Sequence, residues 1–414
     1  MSVRSERQVS TGLEPPLSVA AARRRMLAHV PRLATEQIAI DGMAANRVLT
    51  TDLVAQVQLP PWNTSAMDGY AVRAQDVQRV PLRLPVVGEM AAGTPPGTVA
   101  IRAGSCAKVM TGAPLPDGAD AVVPYEWTDR GATEVLILEA PSEGNAVRQA
   151  GEDLSPGDPI LAAGHRLRPT DLAAVAASGL ATIEVSMRPR VAVVTTGDEI
   201  RPAGSPLKPG QIYDTAGPAL EALITSAGAE LTLRLRVGDD PQLVEAALAQ
   251  AAAASDVVIT VGGVSVGDHD HVRATLERLG RLWLWRVAMR PGRPIAFGEL
   301  GESVFLGLPG NPVSANVTFI LFGAPCLLAM QGASRPEPAT QPAELLHQVE
   351  KPEGLETFHR AVVRARPGKL PGVRLTGTQS SGATTSLARA DALLVLPAKG
   401  TKVERGTVVQ TIPL

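Results

Sequence analysis

Cysteine is scarce in this sequence: only Cys106 and Cys326 occur, far apart and without partners at a metal-ligand spacing. This scarcity excludes a disulfide scaffold and favours a reducing compartment. Aromatic residues are also few, at 3% of the chain, so the cores must be packed mainly with Ala, Val, Leu and Ile. Neither charge is in surplus, since 39 Lys and Arg oppose 41 Asp and Glu. A strongly basic nucleic-acid binder is therefore excluded, and any anion site must be local.

A long apolar run is also missing. The most apolar stretch, residues 317–330, is shorter than the roughly 18 residues that a membrane span requires, and Pro325 interrupts it. A buried helix is the better interpretation of this stretch. The polar start of the chain lacks the apolar core of a signal peptide. Both features favour a soluble, cytoplasmic protein that binds neither membrane nor nucleic acid.

The 414 residues are enough for several domains, and the local composition changes along the chain. Between about residues 52 and 150, turn-forming segments such as "AAGTPPG" and "TGAPLPDGAD" break short apolar runs, which suits a β-rich domain. A helical pattern, "RPTDLAAVAASGL", follows and would pack against the helix predicted near the N-terminus. The β-rich domain is then an insertion in a small helical linking domain.

Strand and helix patterns alternate from residue 189 to about 330, which predicts a parallel sheet covered by helices on both faces. The fold class is therefore α/β and multi-domain, with a central three-layer α/β domain and a barrel-like β domain at the C-terminus. The predicted parts are a disordered tail (1–16), a linking domain in two segments (17–51 and 151–188), the inserted β-rich domain (52–150), the α/β domain (189–332) and the C-terminal β domain (333–414).

Four informative loops follow strands of the predicted α/β domain. Every strand-to-helix loop of a parallel sheet emerges at the carboxyl edge, where ligands bind, so these loops share one side. The loops are "TTGDEI" with Glu199, "VGDDP" with Asp239, "GGVSVGDHD" at 262–270, and "LPGNP" with Pro309 and Pro312. Their grouping predicts a ligand site at this edge.

Arginines occur between two of these loops, in "WRVAMRPGRP", at positions 286, 290 and 293. Carboxylates are preferred ligands of hard divalent cations, and guanidinium groups bind phosphate oxygens through paired hydrogen bonds. Acids together with Arg286, Arg290 and Arg293 therefore indicate a phosphorylated ligand held with a divalent cation.

A glycine-rich turn begins the third loop, where a strand turns into a helix. Gly262, Gly263, Ser265 and Gly267 lie in this turn, and free N–H groups at a helix N-terminus bind anions. The spacing matches neither the dinucleotide-binding fingerprint nor the Walker loop. By itself the turn is a weak indication of an anion cradle.

Structural roles explain several of these residues equally well. Asp270 could cap the helix that follows it, and Asp240 before a proline is typical of a helix cap, which favours Asp239 as the functional acid of its loop. Asn311 before Pro312 has the same pattern. Each acid taken alone is better explained as structural, but four such loops on one edge favour a site.

The sequence resembles the molybdopterin molybdenumtransferase family, which includes MoeA and the E-domain of gephyrin. The matching segments run nearly the length of the chain, and they are "PPWNTSAMDGYA" (60–71), "KVMTGAPLPDGADAVV" (108–123), "VRQAGEDLSPGDPIL" (147–161), "VVTTGDEI" (193–200), "PGQIYDT" (209–215), "VGDDP" (237–241), "GGVSVGDHD" (262–270), "MRPGRPIAFG" (289–298) and "LPGNPVSA" (308–315). In combination these segments are highly specific.

This resemblance implies a homodimer of elongated four-domain subunits, with active sites shared between the molybdopterin-binding α/β domain of one subunit and domains of its partner. It implies that adenylylated molybdopterin and molybdate give molybdenum cofactor and AMP, with Mg²⁺. A molybdopterin adenylyltransferase would act upstream, and molybdoenzymes would receive the product. Carried over by position, the implied catalytic residues are Asp68, Thr111, Glu199, Asp239 and Asp270, and the implied ligand-binding residues are Pro309, Pro312, Arg360 and Ser381.

Simple chemistry is consistent with these roles. Glu199, Asp239 and Asp270 would hold Mg²⁺ on the phosphoanhydride, where the metal offsets charge as AMP leaves. One of them could instead orient the attacking oxygen. Molybdate is a tetrahedral dianion that needs Arg side chains and backbone N–H groups. The family commonly has lysines at the positions of the three arginines above, and a planar guanidinium is not equivalent to an ammonium.

Two alternatives stay open from the sequence. A related α/β domain carries out molybdopterin adenylylation, although the segment "SAMDGYA" belongs to the insertase. A non-catalytic molybdopterin-binding scaffold could keep the fold, although a scaffold has no need for acids on one edge.

Overall fold

The computed structural model describes residues 15–263 and 271–414, except for the side chains of His271 and Trp285. The elements before residue 190 are α1 (Val19–Leu27), β1 (Thr35–Ala39), β2 (Leu53–Val54), β3 (Thr64–Ser65), β4 (Gly69–Val72), β5 (Leu82–Met90), β6 (Cys106–Val109), β7 (Ala121–Pro124), β8 (Glu134–Ile137), β9 (Val147–Arg148), β10 (Pro159–Leu161), α2 (Asp171–Ala177) and β11 (Thr182–Ser186), with single 3₁₀ turns at Gly42–Ala44, Ala74–Val77 and Tyr125–Trp127.

Two chain segments that flank residues 55–158 pair with each other. Strand β1 pairs antiparallel with β11, and β2 pairs antiparallel with β10. A small core of Leu49, Val175, Ile183 and Val185 joins these segments. Helix α2 packs in this core, whereas α1 buries Met26 in the main core of the α/β domain. The expected packing of the two helices against each other is therefore wrong, because the apolar face of α1 contacts α7 (Ala324–Met330) instead.

The inserted segment forms a five-stranded sheet in the order β7-β4-β6-β5-β8. Its core includes Tyr70, Val72 and Val123, and the Tyr70 hydroxyl donates a hydrogen bond to the Gly131 carbonyl oxygen at 2.9 Å. Strand β4 begins at Gly69, where a Cβ would lie 2.1 Å from the Val123 carbonyl oxygen. Glycine is therefore required for β4 to approach β7, and this approach fixes the residue before it, Asp68.

The remaining elements up to residue 330 are β12 (Arg190–Thr196), β13 (Ile200–Arg201), β14 (Ile212–Tyr213), α3 (Ala216–Ser226), β15 (Glu230–Val237), α4 (Pro241–Ala254), β16 (Val257–Val261), α5 (His271–Leu279), β17 (Gly280–Arg286), β18 (Met289–Arg290), β19 (Pro294–Leu300), β20 (Ser303–Leu308), α6 (Pro312–Thr318), a π-helical turn (Phe319–Gly323) and α7 (Ala324–Met330).

The central sheet has six strands in the order β15-β12-β16-β20-β19-β17. The first four are parallel, as predicted, but at one edge β19 runs antiparallel to both of its neighbours, β20 and β17. The physical reason is the two-residue connection between β19 and β20, because a parallel crossover needs a dozen or more residues. Helices α3, α6 and α7 cover one face, and α4 and α5 cover the other. The three-layer α/β prediction is confirmed.

One helical stretch, Pro312–Met330, is long and apolar enough to cross a bilayer. Its most apolar window is 83% buried inside the protein, where Phe319 and Phe322 pack in the main core. Burial of this kind is typical of the core helix of a globular domain, as the sequence predicted.

The C-terminal elements are β21 (Gln341–Leu345), β22 (Val349–Glu350), β23 (Glu356–Arg364), β24 (Gly372–Leu375), α8 (Thr385–Ala388), β25 (Ala392–Leu396), β26 (Lys402–Val403) and β27 (Val408–Pro413). Five of the strands close into a barrel in the order β23-β24-β21-β27-β25, with β25 returning to β23. The barrel prediction is confirmed. Strand β18 pairs with β23 and so ties the barrel to the α/β domain.

Candidate active site

A cavity of about 840 Å³ opens at the carboxyl ends of the parallel strands. Loops after β12, β15, β16 and β20 form its walls, which is the edge where ligands bind in parallel α/β sheets. The predicted residues that line it are Glu199, Asp239, Gly262, Gly263, Pro309 and Pro312. The structure therefore brings together residues from all four of the loops selected from the sequence.

The loops after β12 and β15 are bonded to each other. The Asp198 N–H donates to Asp239 Oδ2 at 3.4 Å, and the Asp239 N–H donates to Asp198 Oδ1 at 3.3 Å. Between the two strands, a Cβ on Gly238 would lie 2.3 Å from Asp198 Oδ1. This reciprocal pair fixes Glu199, the next residue along, relative to Asp239.

Asp240 has the structural role that its sequence context indicates. Its Oδ1 accepts hydrogen bonds from the N–H groups of Gln242 at 2.8 Å and Leu243 at 3.1 Å, so it caps helix α4. The capping interpretation is confirmed, and Asp239 is the acid of this loop that lines the cavity.

Glu199 and Asp239 are exposed carboxylates that share the cavity. Within 15–263 and 271–414 neither forms a salt bridge. No group of three or more metal-ligating side chains occurs in those ranges, and the third predicted ligand, Asp270, lies outside them. Two carboxylates without a cationic side-chain partner among the described residues fit a hard cation such as Mg²⁺.

The glycine turn after β16 is described for its first two residues, while Ser265 and Gly267 lie outside the described ranges. Gly262 and Gly263 have φ angles of 91° and 64°, in the left-handed region. A Cβ on Gly262 would lie 2.8 Å from Thr196 Oγ1, and one on Gly263 would lie 2.4 Å from Val272 Cγ2. Glycine is therefore required here both for the backbone conformation and for space.

The loop after β20 leads into α6 with Pro312 at its first turn. Asn311 occupies the N-cap position, but its side chain makes no capping hydrogen bond. It lines the cavity instead, beside Pro309. The sequence pattern predicted a cap at this residue, but its side chain makes no capping bond and the residue borders the ligand space instead.

A loop of the C-terminal barrel closes one side of the cavity. Gly382 lines it, and the Val313 N–H donates to the carbonyl oxygen of Ser381 at 3.3 Å. Arg360 is buried and holds this loop, because its Nε donates to Ser386 Oγ at 3.0 Å and its Nη2 donates to the Ser380 carbonyl oxygen at 2.9 Å. Burial lowers the pKa of Arg360.

The three arginines predicted to bind an anion do not line the described walls of the main cavity. Arg290 borders a smaller cavity of about 290 Å³ together with His359 and Arg360, whereas Arg286 and Arg293 border neither. Burial lowers the pKa of His359 to about 4, so this ring is neutral at pH 7.

Asp68 and Thr111 form a separate acidic site on the inserted domain. Asp68 Oδ1 accepts hydrogen bonds from the Thr111 N–H and from Thr111 Oγ1, both at 2.7 Å. These two bonds, the backbone one first, lower the pKa of the Asp68 carboxyl below its ordinary 3.8. The carboxylate is exposed and does not line the cavity of its own chain.

Asp214 lines the cavity wall, and no role was predicted for it from the sequence. Its Oδ2 pairs with Arg234 Nη2 at 2.7 Å, and its Oδ1 accepts from the Gly217 N–H at 2.8 Å. Its own N–H donates to the Arg201 carbonyl oxygen at 2.7 Å. The segment "PGQIYDT" was the available signal, because it precedes α3 and therefore emerges at the same edge.

Replacing Asp214 with Asn tests this anchor. The Asp214 side chain is 1% exposed, so losing its charge leaves Arg234 partly buried without its main partner. We expect the free energy of unfolding to fall by about 2 kcal/mol. The matched control is Glu221→Gln, since Glu221 contacts the same arginine at 3.6 Å but is 54% exposed; its expected effect is below about 0.5 kcal/mol. Urea midpoints measure both, and equal shifts would contradict the anchor.

Three consecutive segments of the chain match known families. Residues 17–179 match the MoeA N-terminal region (domain I and II), residues 192–329 match a probable molybdopterin binding domain, and residues 342–414 match the MoeA C-terminal region (domain IV). The class of protein is therefore a multi-domain chain of the MoeA type, whose main cavity lies in its molybdopterin-binding domain.

Individual relatives agree over almost the whole length. The molybdopterin molybdenumtransferase of Haemophilus influenzae is 34% identical, covering 96% of this chain and 98% of that protein. That of Synechococcus elongatus is 38% identical, covering 95% and 98%. A molybdopterin biosynthesis MoeA protein of Pyrococcus horikoshii superposes with a TM-score of 0.79 at 26% identity, covering 97% and 100%. The chain belongs to the molybdopterin molybdenumtransferase family.

Proposed function

We propose that the main cavity binds adenylylated molybdopterin and that the smaller cavity bordered by Arg290 and Arg360 receives molybdate, and that the reaction between them yields molybdenum cofactor and AMP with Mg²⁺ bound. Family membership makes the chain a transferase of molybdenum cofactor biosynthesis. The observation that carries the proposal is the convergence of Glu199, Asp239, the 262–263 turn and the 309–312 loop on one cavity. Acids that can hold a cation, glycines that let the backbone come close to a ligand, and a loop bounded by prolines together suit a phosphorylated ligand.

Glu199 and Asp239 would hold Mg²⁺, with Asp270 as a further proposed ligand. When bound, the cation offsets negative charge on the phosphoanhydride. The chain's own contribution is placement: the reciprocal bonds between Asp198 and Asp239 set the separation of the two loops. Gly262 and Gly263, with their positive φ angles, bring the backbone close to the ligand space without a side chain in between.

Molybdate is a substrate, and its charge requires cationic or N–H donors. Arg290 and Arg360 share the smaller cavity and are the proposed cationic wall for the oxyanion, with Ser381 on the adjoining loop. We include Arg286 and Arg293 as long-range contributors of positive charge. Pro309 and Pro312 are proposed to border the pterin end, because both line the cavity and the residue after Pro312, Val313, is hydrogen-bonded to the barrel loop at Ser381.

Asp68 and Thr111 are proposed to complete the site of a second copy of the chain. Their carboxylate and hydroxyl are exposed and preorganised by two 2.7 Å hydrogen bonds, yet they lie on a different domain from the cavity. A homodimer with shared sites accounts for an ordered, ionised acid that has no cavity of its own. We propose a cytoplasmic location, an adenylyltransferase as the upstream supplier and molybdoenzymes as recipients.

The test is AMP release by the purified protein from adenylylated molybdopterin. We expect release to accelerate on addition of molybdate with Mg²⁺, and to return to its basal rate when EDTA removes the cation. A rate of AMP release that does not depend on molybdate would overturn the proposal. ATP consumption with unmodified molybdopterin would instead establish the adenylyltransferase alternative, and binding without any AMP release would establish the scaffold alternative.

A further inference from the structure

Three large apolar side chains on the wall of the main cavity are exposed: Leu207 by 40%, Ile212 by 54% and Tyr213 by 41%. None of them belongs to the hydrophobic cores formed by the described residues. Exposed apolar surface that is concentrated in a cavity is typical of a binding surface. We call these three residues the apolar wall.

The apolar wall is held in place by its backbone. Strand β14, which carries Ile212 and Tyr213, pairs in parallel with β13. The Ile212 N–H donates to the Glu199 carbonyl oxygen at 2.9 Å, and the next residue is the buried anchor Asp214. Tyr213 therefore lies between two residues that are held by hydrogen bonds, Ile212 and Asp214. The bond from Ile212 goes to Glu199, a proposed catalytic acid.

The ring of Tyr213 is available to a ligand. Its hydroxyl makes no hydrogen bond to the described residues, and its ring stacks on no other ring among them. Glu199 and Asp239 line the same cavity and supply negative charge. The cavity lining thus combines two chemically different groups of residues, acids suited to a metal–phosphate group and apolar side chains suited to a flat apolar group.

We propose that Tyr213, flanked by Leu207 and Ile212, is the stacking platform for a planar heteroaromatic ring of the substrate. This inference rests on the proposed function, whose substrate carries two such rings, the pterin and the adenine. A ring on the apolar wall places the attached phosphates toward the acids. The wall therefore determines specificity by rejecting phosphorylated ligands that lack a flat ring.

Affinity measurements on Tyr213→Ala and Tyr213→Phe test the platform, with AMP, an unphosphorylated pterin and ribose 5-phosphate as probes. Loss of the ring should weaken binding of one ring-bearing probe by about tenfold, because stacking of a base on an aromatic side chain is of that order. Tyr213→Phe keeps the ring and should bind within about twofold of wild type. Ribose 5-phosphate should bind all three proteins equally.

The outcomes separate the two rings. Weaker AMP binding with unchanged pterin binding assigns the wall to adenine, and the reverse assigns it to the pterin; either supports the platform. Equal weakening of all three probes, unchanged binding of both ring-bearing probes, or wild-type protein that prefers neither over ribose 5-phosphate overturns it. Thermal melting of both variants checks folding. Failure of the proposed function is distinguishable, because it appears as AMP release that ignores molybdate.

Discussion

Asp239→Asn is expected to lower molybdate-dependent AMP release by roughly 100-fold or more, whereas Asp240→Asn leaves it within about twofold. The two residues are adjacent and carry the same charge, but only Asp239 lines the cavity. Asp240 caps α4 through its Oδ1, which an asparagine side chain replaces with little loss. The comparison therefore separates a local role of one carboxylate from the total charge of the loop.

Steady-state kinetics with Mg²⁺ held in excess measure this difference. A carboxylate that binds the cation should also make the variant need more Mg²⁺, so the half-saturating concentration should rise for Asp239→Asn and stay constant for Asp240→Asn. Equal activity in the two variants would remove Asp239 from the catalytic group.

Mixing two inactive variants is the second large expected effect. Asp68→Asn and Glu199→Gln should each be nearly inactive alone, but an equal mixture after subunit exchange should recover about a quarter of wild-type activity. That fraction follows if subunits pair at random and each mixed dimer keeps one site with both acids intact. Such recovery requires Asp68 and Glu199 to act from different chains.

The ionisation of Asp68 makes the substitution informative. Hydrogen bonds from Thr111 place its folded-state pKa below the ordinary 3.8, so the carboxylate is charged at every pH above that value. The stabilisation linked to this group is present above the unfolded pKa and is lost only as pH falls through the lower folded pKa. Near neutrality Asp68 contributes no pH dependence, and mixing at pH 6 and pH 8 should give the same recovery. No recovery in the mixture, with both variants folded, would place both acids in one chain's site.

The residues of the cavity could be predicted from the sequence because the topology of a parallel sheet determines where the loops lie. Loops that follow parallel strands meet at one edge whatever their length, so Glu199, Asp239 and Pro309 could be grouped without coordinates. The distinction between Asp239 and Asp240 also followed from local rules, since a proline after an acid is typical of a helix start.

Other features depend on contacts between parts of the chain that are distant in sequence. The Asp214–Arg234 pair joins a loop to a strand 20 residues later. The apolar wall could not be predicted without knowing which apolar side chains remain exposed in the folded protein. The arginines depend on such contacts too: β17 ends at Arg286 after pairing with β19, and β18 pairs with the barrel strand β23, so Arg290 lies beside Arg360 rather than on the main cavity. Local patterns carry no information about that pairing.

A crystal structure of the protein soaked with adenylylated molybdopterin, Mg²⁺ and molybdate tests the proposed active site most directly. We expect ligand density in the cavity at the carboxyl edge of the sheet, with phosphate oxygens beside Glu199 and Asp239 and a cation between them. Density that fills another part of the molecule, with these two carboxylates facing only solvent, would contradict it.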